Sequence, residues 1–292
     1  MARLPVGVAL SGGTARSVLH VGVLKALQES GIPVDYIAGT SGGSIAAAIY
    51  AFGEPIDVME KVAASLSWWK LASIRVSRLG FISSRPIEMF LDKTLQGATF
   101  EDLKIPCAIP LTDLATGERV TLRNGPVARV VRASCSIPLI YLPVEIDGRH
   151  YVDGGLAEYL PVQSVQGFGP QFTLAVNLNT RVRDYKAPKH KLGLVIQFTS
   201  MVARQNVGAS VRRADYVLHP DVDGYSPFDF SAAEELIDLG YRFTRERAED
   251  IKREWKRKSS WLGRLQTFFD RRARHAGMHN PETMNRVIRN RG

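Results

Sequence analysis

Apolar positions at the start of the chain follow two rhythms. Val6 to Leu10 is a short continuous apolar run ending at Ser11-Gly12-Gly13, and behind it Val18, Leu19, Val21, Gly22, Leu24 and Leu27 recur at helical spacing. The pattern predicts a strand, a glycine turn and a helix, which Gly31-Ile32-Pro33 then stops. The same unit returns at once. Tyr36 to Ala38 reads as a strand, Gly39-Thr40-Ser41-Gly42-Gly43 as a turn, and Ser44 to Phe52 as an alanine-rich helix. Two strand-turn-helix units in succession argue for an α/β fold with a mostly parallel sheet covered by helices.

Further along, residues 54 to 97 read as largely helical, with Pro86 behind Ser84-Arg85 as a helix start. Strand patterns follow at Ile105 to Leu111, Arg119 to Leu122 and Val144 to Ile146. The last meets Asp147-Gly148 and then Tyr151-Val152, the pattern of a hairpin. Phe172 to Leu178 and Tyr216 to His219 are the remaining strands, and helices are expected over Leu194 to Arg204 and from Ser231 to Lys258. Ser259 or Ser260, and Asn280 ahead of Pro281, can start others.

Composition adds one asymmetry. The 292 residues carry a net charge of +9, and residues 245 to 292 hold 14 Lys and Arg against 6 Asp and Glu, so most of the excess lies in the tail. Charge gathered at one end favours a local contact surface over a generally basic body. Cys107 and Cys135 have no metal-type spacing and read as small buried thiols in a reducing compartment. The N-terminus leaves no room for a signal peptide and no apolar run is long enough to span a bilayer, so the expected location is the cytoplasm.

Three segments carry candidate chemistry. Gly39-Thr40-Ser41-Gly42-Gly43 fits G-x-S-x-G, in which a sharp strand-to-helix turn presents a strained serine and tolerates little side chain two residues to either side. Ser11-Gly12-Gly13-Thr14-Ala15-Arg16 occupies the other strand-to-helix turn, where successive amides form an anion site of the kind acyl transfer needs for its oxyanion. No Gly-Lys-Ser/Thr follows, which argues against a nucleotide phosphate loop. Asp153-Gly154-Gly155, after the hairpin, offers a carboxylate at a strand end, although Asp-Gly-Gly is equally the composition of a plain turn.

Taken in order and spacing, Leu10 to Gly13, Arg16, His20 to Leu24, Gly39 to Gly43, Ser136-Ile137-Pro138 and Asp153 to Gly155 resemble the patatin-like phospholipases, the bacterial ones especially. The resemblance covers roughly residues 5 to 245, and residues 246 to 292 then form a basic amphipathic helical tail. It implies a three-layer α/β/α fold and hydrolysis of lipid acyl esters, phospholipid or lysophospholipid, with no metal or cofactor. Ser41 would be the nucleophile, Asp153 its base, and the backbone of Gly12, Gly13 and Thr14 the oxyanion hole. Arg16, Gly39, Gly43, Gly154 and Gly155 would support them.

Two positions depart from the family's Gly-Gly-Gly-x-Arg-Gly: Thr14 replaces the third glycine and Ser17 the last. Thr14 keeps its N–H, but a β-branched residue does not adopt positive φ cheaply. Either the loop avoids that conformation or the oxyanion hole is weakened, which leaves room for a second reading: a catalytically weak protein that binds lipid or a partner as a regulator. His150 and His219, both near strand ends, compete with Asp153 for the role of base. In the tail, Trp261, Leu262, Leu265, Phe268 and Phe269 share one side of a helix amid cations. Such a helix can lie on an anionic membrane or pack on the core; packing is favoured, and no nucleic-acid reading motif accompanies the charge.

Overall fold

In the computed structural model, residues 3–65, 82–179, 191–227, 229–260 and 265 are described, with backbone alone at 191, 192 and 196. The strands are β1 (Val6–Leu10), β2 (Tyr36–Gly39), β3 (Cys107–Asp113), β4 (Arg119–Leu122), β5 (Val144–Ile146), β6 (Arg149–Val152), β7 (Phe172–Val176) and β8 (Tyr216–Leu218). They form one sheet in the order β5-β6-β3-β2-β1-β7-β8, with β4 also on β3. Pairings among β3, β2, β1, β7 and β8 are parallel; those of β4, β5 and β6 are antiparallel. This is the mostly parallel, mixed sheet that the repeated strand-turn-helix pattern predicts.

Side-chain size divides the sheet's two faces. Val6, Val8 and Leu10 of β1, Ile37 of β2, Cys107, Ile109 and Leu111 of β3, and Phe172, Leu174 and Val176 of β7 enter one large core. The opposite face presents Ala9, Ala38, Ala108 and Ala175, one alanine from each of the same four strands. Alternation along a strand sends successive side chains to opposite faces, so a single five-residue run serves both.

The large face is covered by α1 (Leu19–Glu29), α2 (Gly42–Phe52), α3 (Ile56–Ser65), α4 (Arg85–Thr94), α5 (Val127–Ser134) and α9 (Ala233–Ser259). Leu160, Val162, Val165 and Val207, from the region of α7 (Val162–Gln166) and α8 (Lys191–Arg213), settle onto the alanine face. Between them α6 (Gly155–Glu158) is a single turn. The result is the expected three-layer α/β/α sandwich.

Helices α1 and α9 meet backbone to backbone. A Cβ at Gly22 would lie 1.9 Å from Ile237 O, and one at Gly240 would lie 2.3 Å from Leu19 O, so neither position accepts a side chain without moving a helix. Helix α9 runs unbroken through residues 245 and 246, with Ala248 and Ile251 buried in the main core and Trp255 Nε1 donating to Leu4 O at 3.0 Å. The described part of the basic tail therefore continues the body of the fold. The aromatic stripe from Trp261 to Phe269 lies outside the described residues, save Leu265, which is helical and exposed. None of the described helices is long and apolar enough to cross a membrane.

Candidate active site

Three chain reversals at strand ends converge. The first two follow the parallel strands β1 and β2, where α/β sheets characteristically place their sites. Gly43 makes their contact possible: a Cβ there would lie 2.3 Å from Ser11 O, so the elbow backbone rests directly on the glycine loop. Ser41, at the start of α2, has φ 50 and ψ −128, the strained turn that G-x-S-x-G implies. Its amide donates to Ser134 Oγ at 3.0 Å, and that hydroxyl donates to Pro110 O at 2.9 Å. Thr40 Oγ1 donates to Glu158 O at 2.8 Å, tying the other side of the elbow to α6.

Asp153 turns inward where the pairing of β6 with β3 ends at Thr112 and Val152. Gly154 lets it do so, since a Cβ there would lie 2.1 Å from Pro110 O. Main-chain bonds hold the turn on both sides: Asp153 N donates to Ser136 O at 2.9 Å, and Thr112 Oγ1 donates to Asp153 O at 2.8 Å. The side chains of Ser41 and Asp153, 112 positions apart, meet in a 2.7 Å hydrogen bond from Oγ to Oδ2, with the two residues 9% and 7% exposed. Oδ1 accepts the Gly155 N–H at 2.7 Å. Burial pushes the Asp153 pKa up to about 6, outweighing the hydrogen bonds from Ser41 and Gly155 that lower it. A carboxylate in that range is a stronger base than a free aspartate and is still ionised near neutral pH.

The glycine loop needs one correction. The Gly12 amide, expected among three oxyanion donors, donates to Tyr159 O at 3.1 Å and is already committed. The amides of Gly13 and Thr14 have no partner among the described residues, nor does that of Gly42 at the first position of α2. Gly42 was not anticipated, although the amide after a nucleophilic serine is an oxyanion donor in α/β-hydrolases. Thr14 does take the left-handed conformation, with φ 55. The loop thus carries strain of about 1–3 kcal/mol that a glycine would avoid, and its amide stays free.

Arg16 anchors the loop: its guanidinium donates to Tyr225 O through Nε at 2.8 Å and also through a terminal nitrogen. Burial lowers its pKa from the usual guanidinium value. His20 reaches the same loop, its Nε2 lying 2.9 Å from Ser11 O. Its complete burial holds the imidazole pKa down at about 4, so it stays neutral. The competing histidines have partners elsewhere. His150 is exposed beside Glu145, and His219 Nε2 lies 2.8 Å from Asn179 O.

Other supports escaped the sequence. Asn206 of α8 donates through Nδ2 to Gly155 O and Leu156 O, at 3.0 and 3.1 Å, and accepts from Tyr159 N at 3.2 Å. It clamps the segment that leaves Asp153. Ser134 closes the unpredicted helix α5. A lone Asn or Ser has no local signature for such a role.

Two cavities open from Ser41. One, of about 750 Å³ including its open mouth, is almost wholly apolar and lies among Val18, Ile45, Ile49, Met59, Val62 and Ile87. The other, of about 640 Å³, is more polar and includes Arg16, Asp153, Tyr159, Thr199 and Ser200. Thr14, Ser41 and Ile137 border both.

The family model described as patatin-like phospholipase matches residues 8–165, which include all three reversals. The chain belongs to the patatin-like phospholipase family. This patatin-like chain is 34% identical over 177 residues to an uncharacterized NTE family protein of Mycobacterium bovis, covering 60% of this chain and 49% of that one. It is 29% identical over 282 residues to the lysophospholipase nte1 of Aspergillus fumigatus, covering 85% of this chain and 18% of that protein. It therefore spans about half the length of the mycobacterial relative and under a fifth of the fungal one. Among solved structures, VipD from Legionella pneumophila shares the fold with a TM-score of 0.50 at 15% identity, over 85% of this chain and 67% of VipD.

Proposed function

We propose that this patatin-like chain is a serine acyl-hydrolase that cleaves lipid acyl esters through Ser41 and Asp153. The observation that carries the reading is the buried 2.7 Å hydrogen bond between these two side chains at the meeting point of an apolar and a polar cavity. An acyl chain fits the first and the alcohol portion the second. Lysophospholipid is the favoured substrate, because one apolar cavity opens at Ser41 and a relative bears the name lysophospholipase.

In this mechanism Ser41 Oγ attacks the ester carbonyl as Asp153 Oδ2 takes its proton. The carbonyl oxygen becomes an anion facing the free amides of Gly13 and Thr14, with that of Gly42 nearby. Asp153 returns the proton to the departing alkoxide and leaves an acyl-enzyme on Ser41. Water then enters from the polar side, gives a proton to Asp153 and attacks the acyl carbon. The second tetrahedral intermediate collapses, Ser41 recovers the proton, and the carboxylic acid leaves.

A fluorophosphonate probe should label the protein, and Ser41→Ala should abolish both labelling and ester turnover. A wild type that is neither labelled nor active on acyl esters from short chains to lysophospholipid would overturn the reading.

A further inference from the structure

Two hydroxyl-bearing residues that the mechanism does not use line the apolar cavity. Ser17 and Tyr141 both border it, at 4% and 3% exposed. The Ser17 hydroxyl has no hydrogen-bond partner among the described residues. The Tyr141 phenol has no hydrogen-bond partner among the described residues either, and unlike the Ser17 hydroxyl it is not among the fully enclosed atoms. Burial pushes the phenol's pKa up, so it remains a protonated donor. Buried hydroxyls nearly always find partners, and a cavity built for plain hydrocarbon would be better served by alanine and phenylalanine.

Both residues share this cavity with Ser41. Ser17 Oγ is 3.0 Å from where a Cβ on Gly13 would stand and 2.4 Å from one on Gly42, which puts it between the oxyanion loop and the residue after the nucleophile. Tyr141 lines the cavity together with Cys135, whose thiol is 3.9 Å from Ser44 Oγ, one helical turn beyond Ser41. Water does not reach Ser17 Oγ in its present rotamer, but a serine held by no hydrogen bond can change χ1 when a polar group arrives. We infer that the preferred acyl group carries an oxygen function, a hydroxyl or a keto group, on the carbons next to the ester carbonyl, with Tyr141 and Ser17 as its hydrogen-bonding partners. This rests on the acyl-hydrolase reading and narrows its substrate class.

The test compares kcat/KM for the p-nitrophenyl esters of 3-hydroxydecanoate and decanoate on the full chain. The wild type should favour the hydroxylated ester about tenfold, the value of one good buried hydrogen bond. Tyr141→Phe and Ser17→Ala should each lower that ratio several-fold, the loss falling on the hydroxylated ester. A wild-type ratio of one or less, or variants that slow both esters equally, would overturn the inference and leave the hydrolase reading intact. Calorimetric binding of 3-hydroxydecanoic and decanoic acids to Ser41→Ala tests the cavity without chemistry: the hydroxy acid should bind about tenfold tighter, and equal affinities refute the inference even where no ester is cleaved.

Discussion

Replacing Asp153 by asparagine separates what the carboxylate does for chemistry from what it costs the fold. Burial holds its pKa at about 6, against 3.8 for a free aspartate. That gap corresponds to about 3 kcal/mol by which the ionised side chain destabilises the folded state. The sign follows from proton linkage. The folded pKa lies above the unfolded one, so the folded state keeps its proton over a range where the unfolded chain has lost it. Stability therefore falls as pH rises from about 4 to about 6, and the penalty is complete above that. Asparagine has nearly the same shape and stays neutral throughout. Its carbonyl can still accept the Gly155 N–H, and its amide can donate to Ser41 Oγ.

Asp153→Asn should thus be more stable than the parent at pH 8, by up to about 3 kcal/mol, with the advantage shrinking towards nothing near pH 4. Ester turnover should drop by about a hundredfold or more, the usual worth of a general base. Urea unfolding at pH 8, 6 and 4.5 measures the first effect and kcat/KM the second. In the parent, kcat/KM should rise with pH through a midpoint near 6, as the base must be ionised. An asparagine variant less stable than the parent at pH 8, or a gain that does not change with pH, would refute the claim that desolvation dominates at Asp153.

Other substitutions test the supports. Ser134→Ala leaves the Ser41 amide and Pro110 carbonyl without their shared hydroxyl and should cost about 1–3 kcal/mol in urea unfolding, with turnover falling alongside. Thr14→Gly keeps the free amide and relieves the φ 55 strain, so ester turnover should stay within a few-fold of the parent; a loss of a hundredfold or more would show that the threonine side chain contributes to the site. His150→Ala, which removes an exposed side chain beside Glu145 that makes no hydrogen bond to Ser41, should leave the kcat/KM profile and its midpoint in place, whereas loss of activity would restore a histidine as base. Gly240→Ala drives a methyl group into Leu19 O and should lower stability by about 1–3 kcal/mol or more, read as a fall in thermal midpoint.

What was legible in the sequence was whatever depends on a residue's own backbone. Strand, turn and helix at Val6 to Leu27 and at Tyr36 to Phe52 follow from local periodicity, and the glycines of the elbow follow from a close approach that only glycine allows. The extents of the elements were less legible. Helix α8 was expected to stop at Arg204 but runs to Arg213, because Val207 and Ser210 are buried and tertiary packing overrides the breaking tendency of Asn206 and Gly208. Helix α5 was missed altogether; its valine-rich eight residues have no cap that marks a start.

The misreading of Gly12 shows why the remainder was hidden. Nothing within the glycine loop indicates that a carbonyl from Tyr159 will arrive to occupy that amide, nor that Asn206, on a helix further along the chain, will hold Tyr159 and Gly155 in place. These are long-range assignments of donors to acceptors, made by the packing of α6 and α8 against the sheet. They also account for the threonine. With Gly12 tied to Tyr159 and Arg16 to Tyr225, the loop is fixed at both ends, and position 14 between them is held at positive φ whatever residue stands there. The anchors supply the strain energy, and the Thr14 amide stays unpaired as a result. Loosening an anchor, not replacing Thr14, is therefore what should close the proposed oxyanion site.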